Sequence, residues 1–145
     1  GGRYTVASVA LQNAPGSFLR AELSPSTPKP CEDIVGQNST KEEIRSLVEC
    51  FADFYALDRP KVLRISACES GFNYRAKSKI SSASGVFQFI SSTFRSTVTR
   101  YRNAHNLTLS FDPDVFDPYW NVRLATWKMS LDSYGAWYAS YDCWK

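Results

Sequence analysis

Glu69 has the surroundings of an acid catalyst. It follows the apolar helical stretch of Val62, Leu63, Ile65 and Cys68, and Ser70 and Gly71 come straight after it. The apolar end of a helix lowers the local dielectric, disfavours the charged carboxylate and raises its pKa. A carboxyl that stays protonated near neutral pH can hand its proton to a leaving oxygen. A lone glutamate at a helix end is ordinarily a solvated surface residue. Here a second cluster weighs against that: Gly85-Val86-Phe87-Gln88-Phe89 sets one amide side chain inside an apolar segment. A buried Gln88 needs hydrogen-bond partners. The hydroxyls and amides of a ligand can supply them, and so can a loop backbone. Gly85 permits close approach of the main chain to a ligand, or merely a turn.

Four helical segments are expected to position these residues. Thr40 and Glu43 have the spacing of a capping box, and Ile44, Leu47, Val48, Phe51 and Phe54 then recur on one face. A second helix starts at Asp58, with Pro60 in its first turn, and runs to Glu69 with Gly71 as its stop. Residues 70–84 are loop-like. Ser91 or Ser92 caps a third helix through Arg100 and beyond, and residues 102–118 are irregular. Asp117-Pro118 opens a fourth helix carrying Trp120, Val122, Leu124, Trp127 and Leu131, which Gly135 ends. Residues 1–30 differ from the rest: 4–11 could be extended, and three prolines interrupt 24–30, so the region is expected to be an arm or linker. The globular part is expected over 31–145, mainly α with few strand signals.

Bulk properties narrow the class. With 145 residues the chain has room for one domain with a real core. A net charge of +3, from scattered basic residues, argues against nucleic acid as a partner. It suits an anionic polymer without requiring one. Aromatic residues make up 14%; they fill cores by default, and Trp and Tyr also stack on the ring faces of sugars. Cys31, Cys50, Cys68 and Cys143 show no CxxC spacing, and the one histidine, His105, has no cysteine near it, so no metal and no cofactor is expected. An even cysteine count fits two disulfides in an oxidising compartment; four buried thiols in a cytosolic protein are the alternative. No apolar run is long enough to span a membrane. The chain begins Gly1-Gly2 rather than with Met, and is taken as a mature or trimmed fragment whose signal peptide would be gone.

Glu69-Ser70-Gly71-Phe72, then Ala83-Ser84-Gly85-Val86-Phe87-Gln88-Phe89 and Ser91-Ser92-Thr93, resemble the active-site motifs of the soluble lytic transglycosylase and goose-type lysozyme group. In that family a Glu-Ser pair precedes a Gly-Leu-Met-Gln-like motif and a Pro-Ser-Thr helix start. Asp117-Pro118-Tyr119-Trp120-Asn121-Val122 resembles the family's Asp-Pro-x-x-Asn-Ile segment, and Tyr134-Gly135 its Tyr-Gly. Ser91 stands where Pro is usual, and Val86-Phe87 replaces Leu-Met. The likeness covers roughly residues 40–135. The family's Ala-Tyr-Asn-x-Gly motif has only Ala139-Ser140-Tyr141-Asp142 as its nearest counterpart, with Asp in place of Asn.

The resemblance implies a lysozyme-like fold, an exported protein and the glycan strands of peptidoglycan as substrate. It implies Glu69 as the acid that protonates the oxygen between N-acetylmuramic acid and N-acetylglucosamine and then acts as base. The substrate's acetamido group would replace a second carboxylate, giving a 1,6-anhydro product. Ser70 would orient Glu69 or bind the acetamido group; Gln88, Phe87, Gly85 and, in place of the family tyrosine, Tyr141 would bind sugar. Asp112, Asp114 and Asp117 could supply a second acid but suit turns and caps better. Three disulfide pairings are possible. Cys68–Cys143 with Cys31–Cys50 is preferred, because it pins the tail beside Glu69 and ties the entry segment to the first helix. A monomer is expected. Two alternatives remain open: a muramidase using water on the same bond, and a wall-binding module with catalysis lost.

Overall fold

Four main helices carry the fold, and each begins or ends where local chemistry requires. The computed structural model describes residues 29–35 and 39–145. The expected arm therefore lies outside the described residues, except for Lys29 and Pro30. After a single 3₁₀ turn at Glu32–Ile34 comes α1, Lys41–Phe54. Its capping box is complete: Thr40 Oγ1 accepts from Glu43 N–H at 3.1 Å, and Glu43 Oε1 accepts from Thr40 N–H at 2.9 Å. Two of the unpaired N–H groups at the helix start are thereby satisfied. Ile44, Leu47, Val48, Phe51 and Ala52 are buried, whereas Phe54, expected on that face, stays partly exposed. Helix α2 is Arg59–Ser70, capped by the Asp58 carboxylate on Lys61 N–H and ended by Gly71 in the left-handed region at φ 61°. Phe72 follows at φ 62°, so the chain turns away sharply just past Glu69.

Helix α3, Ser91–Ala104, corrects one expectation: neither Ser91 nor Ser92 is the cap. Ile90 holds the N-cap position without a side-chain bond, and Ser82, from the preceding loop, accepts from Ser91 N–H at 2.9 Å. A long-range hydroxyl thus does what a local cap would do. Helix α4, Pro118–Asp132, is capped by Asp117 on Tyr119 N–H. It ends at Ser133, which takes φ 61°, and not at Gly135. Gly135 instead opens a 3₁₀ segment, Gly135–Ser140, that runs into the short α5, Tyr141–Trp144.

Helix α4 is the centre of the domain. It packs against α1 and α3, and Tyr119, Asn121, Val122, Leu124, Ala125, Trp127 and Met129 are all buried. A helix enclosed on several sides has no single polar face, so its polar members must be bonded internally. Thr126 Oγ1 donates to Val122 O at 2.7 Å. The Arg123 guanidinium, 1% exposed, lies among the rings of Phe51, Tyr101, Tyr119 and Trp120 and donates to the Tyr119 hydroxyl at 2.9 Å. Helix α2 also packs on α1, and the C-terminal 3₁₀ segment and α5 fold back onto α2. The architecture is mainly α and lysozyme-like. Between α2 and α3 only isolated β-bridges form, Lys77 with Ser84 and Ser84 with Phe89. No helix of the described residues is long and apolar enough to cross a membrane.

Two disulfides, Cys31–Cys50 and Cys68–Cys143, close the structure. The first ties the entry segment to α1. The second joins α2, one residue before Glu69, to α5.

Candidate active site

Glu69 lies in the last turn of α2, where the helix meets the returning tail. Burial pushes its carboxyl pKa above the ordinary range, and a hydrogen bond from Ser140 opposes the rise only in part. Ser140 Oγ donates to Glu69 Oε2 at 2.6 Å. The charged groups on the packed elements are engaged elsewhere. Arg64 donates to the Trp144 carbonyl at 3.0 Å, and Asp142 pairs with Lys145 at 3.2 Å. The desolvated carboxyl is thus held by a neutral hydroxyl, which keeps the proton-donating form accessible.

The loop that the neighbouring Ser70 bonds is held through its main chain. Ser70 Oγ donates to Val86 O at 2.7 Å and accepts from Asn73 N–H at 3.2 Å. Its one proton is committed to the loop, so the expectation that Ser70 orients Glu69 is corrected: Ser140 supplies that bond. Gly85, at φ 81°, is buried, and a Cβ there would stand 2.3 Å from Asn121 Nδ2 and 2.6 Å from Val115 O. The close approach that Gly85 permits is to Asn121 and not to a ligand. Phe87, also expected at the sugar surface, is fully buried with its ring edge-on to Trp137. Its N–H donates to Asn121 Oδ1 at 2.9 Å, and its carbonyl accepts from Trp137 Nε1 at 2.9 Å. Core packing removes both residues from the ligand surface; they shape the loop from behind.

Gln88 is half-buried at φ 52°. Its Nε2 donates to Ala76 O at 3.1 Å and Gly85 O at 3.0 Å. Two carbonyls at one end fix which end is the amide nitrogen. Among the described residues these two bonds from Nε2 hold the side chain. Asp117 is a helix cap, Asp114 Oδ1 accepts from Phe116 N–H, and Asp112 lines a cavity of about 430 Å³ with Arg95 and Arg102 whose walls do not include Glu69.

The tail carries what the sequence did not single out. Ser140 reaches Glu69, while Tyr141, the expected replacement for the family tyrosine, points its ring to the surface. Tyr141 is 43% exposed and stacks on Tyr138, itself 58% exposed, with ring centroids 5.2 Å apart. The signal for Ser140 lay in its place in Ala139-Ser140-Tyr141-Asp142, but sequence could not say which hydroxyl turns inward. Asn121 was legible as a motif residue, and its bonds to the loop were not.

A family model, the transglycosylase SLT domain, matches residues 47–142. The chain belongs to that family. No curated protein and no solved structure matches the chain. The SLT match takes in Glu69, the Gly85–Gln88 loop, Asn121 and the tail through Asp142. Peptidoglycan is the substrate class of SLT domains, which act outside the cytoplasm, and the two disulfides fit an exported protein.

Proposed function

We propose that this SLT domain is a peptidoglycan lytic transglycosylase that cleaves the β-1,4 bond between N-acetylmuramic acid and N-acetylglucosamine through Glu69 alone. The observation that carries the reading is the desolvated Glu69 carboxyl, bonded to a hydroxyl and raised in pKa by burial. In the first step Glu69 gives its proton to the glycosidic oxygen and the bond from that oxygen to C1 breaks. The acetamido oxygen of the muramic residue stabilises the positive charge at C1. In the second step the Glu69 carboxylate takes the proton of the C6 hydroxyl as O6 bonds to C1, which closes the 1,6-anhydro ring and restores the acid. Gln88 Oε1 accepts from a sugar hydroxyl or acetamido N–H. The stacked pair Tyr138 and Tyr141 offers a ring face to a sugar of the strand.

The test is mass spectrometry of soluble products from purified peptidoglycan, with Glu69→Gln as control. Anhydro-muropeptides from the parent protein alone support the proposal. Reducing-end muropeptides would mean water is the acceptor. Binding without any product, at several pH values, would leave a wall-binding module.

A further inference from the structure

The Ser140 hydroxyl is placed by three anchors on the tail, two fixed to the helix that carries Glu69 and one to the Gln88 loop. The Cys68–Cys143 bridge joins the tail to the helix that carries Glu69. Trp137, 5% exposed, donates through Nε1 to Phe87 O in the Gln88 loop. Trp144, 1% exposed, is held by Arg64 Nε on its carbonyl, and its own Nε1 lies 3.1 Å from both Ser140 Oγ and Trp137 O. A buried indole N–H is a donor only. By donating to Ser140 Oγ it occupies a lone pair there and leaves the hydroxyl proton for an acceptor. The nearer acceptor is Glu69 Oε2 at 2.6 Å, against 3.1 Å for Trp137 O.

We propose that Ser140 is a positioning residue for the catalytic acid: it holds Glu69 by Oε2, so that the transferable proton sits on Oε1, facing the glycosidic oxygen. This rests on the reading of Glu69 as the acid. A neutral carboxyl has one carbonyl-type oxygen and one hydroxyl. The Ser140 proton selects Oε2 as the carbonyl-type oxygen and thereby places the acid proton on the other. After proton transfer the same bond stabilises the carboxylate, and it fixes the carboxyl plane for the return step as base. A hydroxyl on a disulfide-pinned tail thus does work that the resemblance would assign to Ser70, and Tyr141 remains on the surface.

The experiment compares the parent protein with Ser140→Ala and Ser140→Thr. It records kcat, KM and the pH profile on purified peptidoglycan, with carbon-13 NMR titration of the Glu69 carboxyl and near-UV circular dichroism to confirm the fold. In Ser140→Ala, kcat is expected to fall about ten- to a hundredfold with KM within about twofold, the pattern of an interaction that acts on the reaction step. The alkaline limb moves to higher pH, because the hydrogen bond that lowers the Glu69 pKa is gone. Ser140→Thr, which keeps the hydroxyl, returns the limb toward the parent position. A correctly folded Ser140→Ala protein with parental kcat and pH profile would overturn the proposal. Should the parent protein release no product, the functional reading falls by itself, and the NMR titration still decides this one. A higher Glu69 pKa in Ser140→Ala supports the contact, and an unchanged pKa overturns it.

Discussion

Asn121 occupies the space that a side chain at residue 85 would need. Its Nδ2 would be 2.3 Å from a Cβ on Gly85, while its Oδ1 accepts the Phe87 N–H at 2.9 Å and its Nδ2 donates to Val115 O at 2.8 Å. One fully buried amide from α4 therefore fixes the loop that carries Gln88. Glycine at 85 and asparagine at 121 make one device, because the smallest residue is what lets the amide come close enough to bond the main chain.

Gly85→Ala is expected to destabilise the fold by on the order of 3 kcal/mol. The backbone there is at φ 81°, and the obstructing Val115 atom is a main-chain carbonyl that cannot swing away. Urea titration monitored by tryptophan fluorescence would show the midpoint moving down at constant slope. An unchanged midpoint would mean that the loop relaxes without cost.

Asn121→Ala leaves the Phe87 N–H and the Val115 carbonyl without their partner inside the protein. A buried group deprived of its hydrogen bond costs about 1–3 kcal/mol. Hydrogen exchange at the Phe87 amide is expected to accelerate well beyond the global change in stability, which locates the damage in the loop.

Glu69→Gln should abolish lysis while wall binding in a pull-down with insoluble peptidoglycan persists. It should also stabilise the fold at neutral pH. Glu69 has a folded pKa above its unfolded value, so the folded state binds the proton more tightly. At pH values below the unfolded pKa both states are protonated and the penalty for burying the Glu69 charge is absent. The penalty for burying the charge appears as pH rises through the folded pKa. Melting temperatures of parent and variant should therefore converge in acid and separate toward neutral pH, with the variant higher.

The two disulfides should differ in worth. Replacing Cys68 and Cys143 together by serine opens a loop of sequence separation 75, against 19 for Cys31 and Cys50. The entropy of loop closure gives about 4 kcal/mol for the longer and about 3 for the shorter. Loss of the longer one also frees the tail, so the Glu69 pKa should move as it does in Ser140→Ala. Opening the Cys31–Cys50 bridge should leave that pKa unchanged.

Local rules were enough for much of the framework. The Thr40–Glu43 capping box, the Asp58 and Asp117 caps, the Gly71 stop and the buried face of α1 follow from interactions within a few residues, and such interactions are written in the sequence. The Glu69 and Gly85–Gln88 motifs pointed to the family, and the charge-disfavouring end of α2 followed from its apolar residues. What the sequence could not decide were contacts between residues far apart in the chain. Ser82 reaching the start of α3, Asn121 bonding Phe87, the inward turn of Phe87 and the choice of Ser140 over Ser70 as the hydroxyl on Glu69 each depend on which segments pack together. Side chains one residue apart point in different directions, so the identity of the hydroxyl on Glu69 was settled only when Cys143, Trp137 and Trp144 fixed the path of the tail.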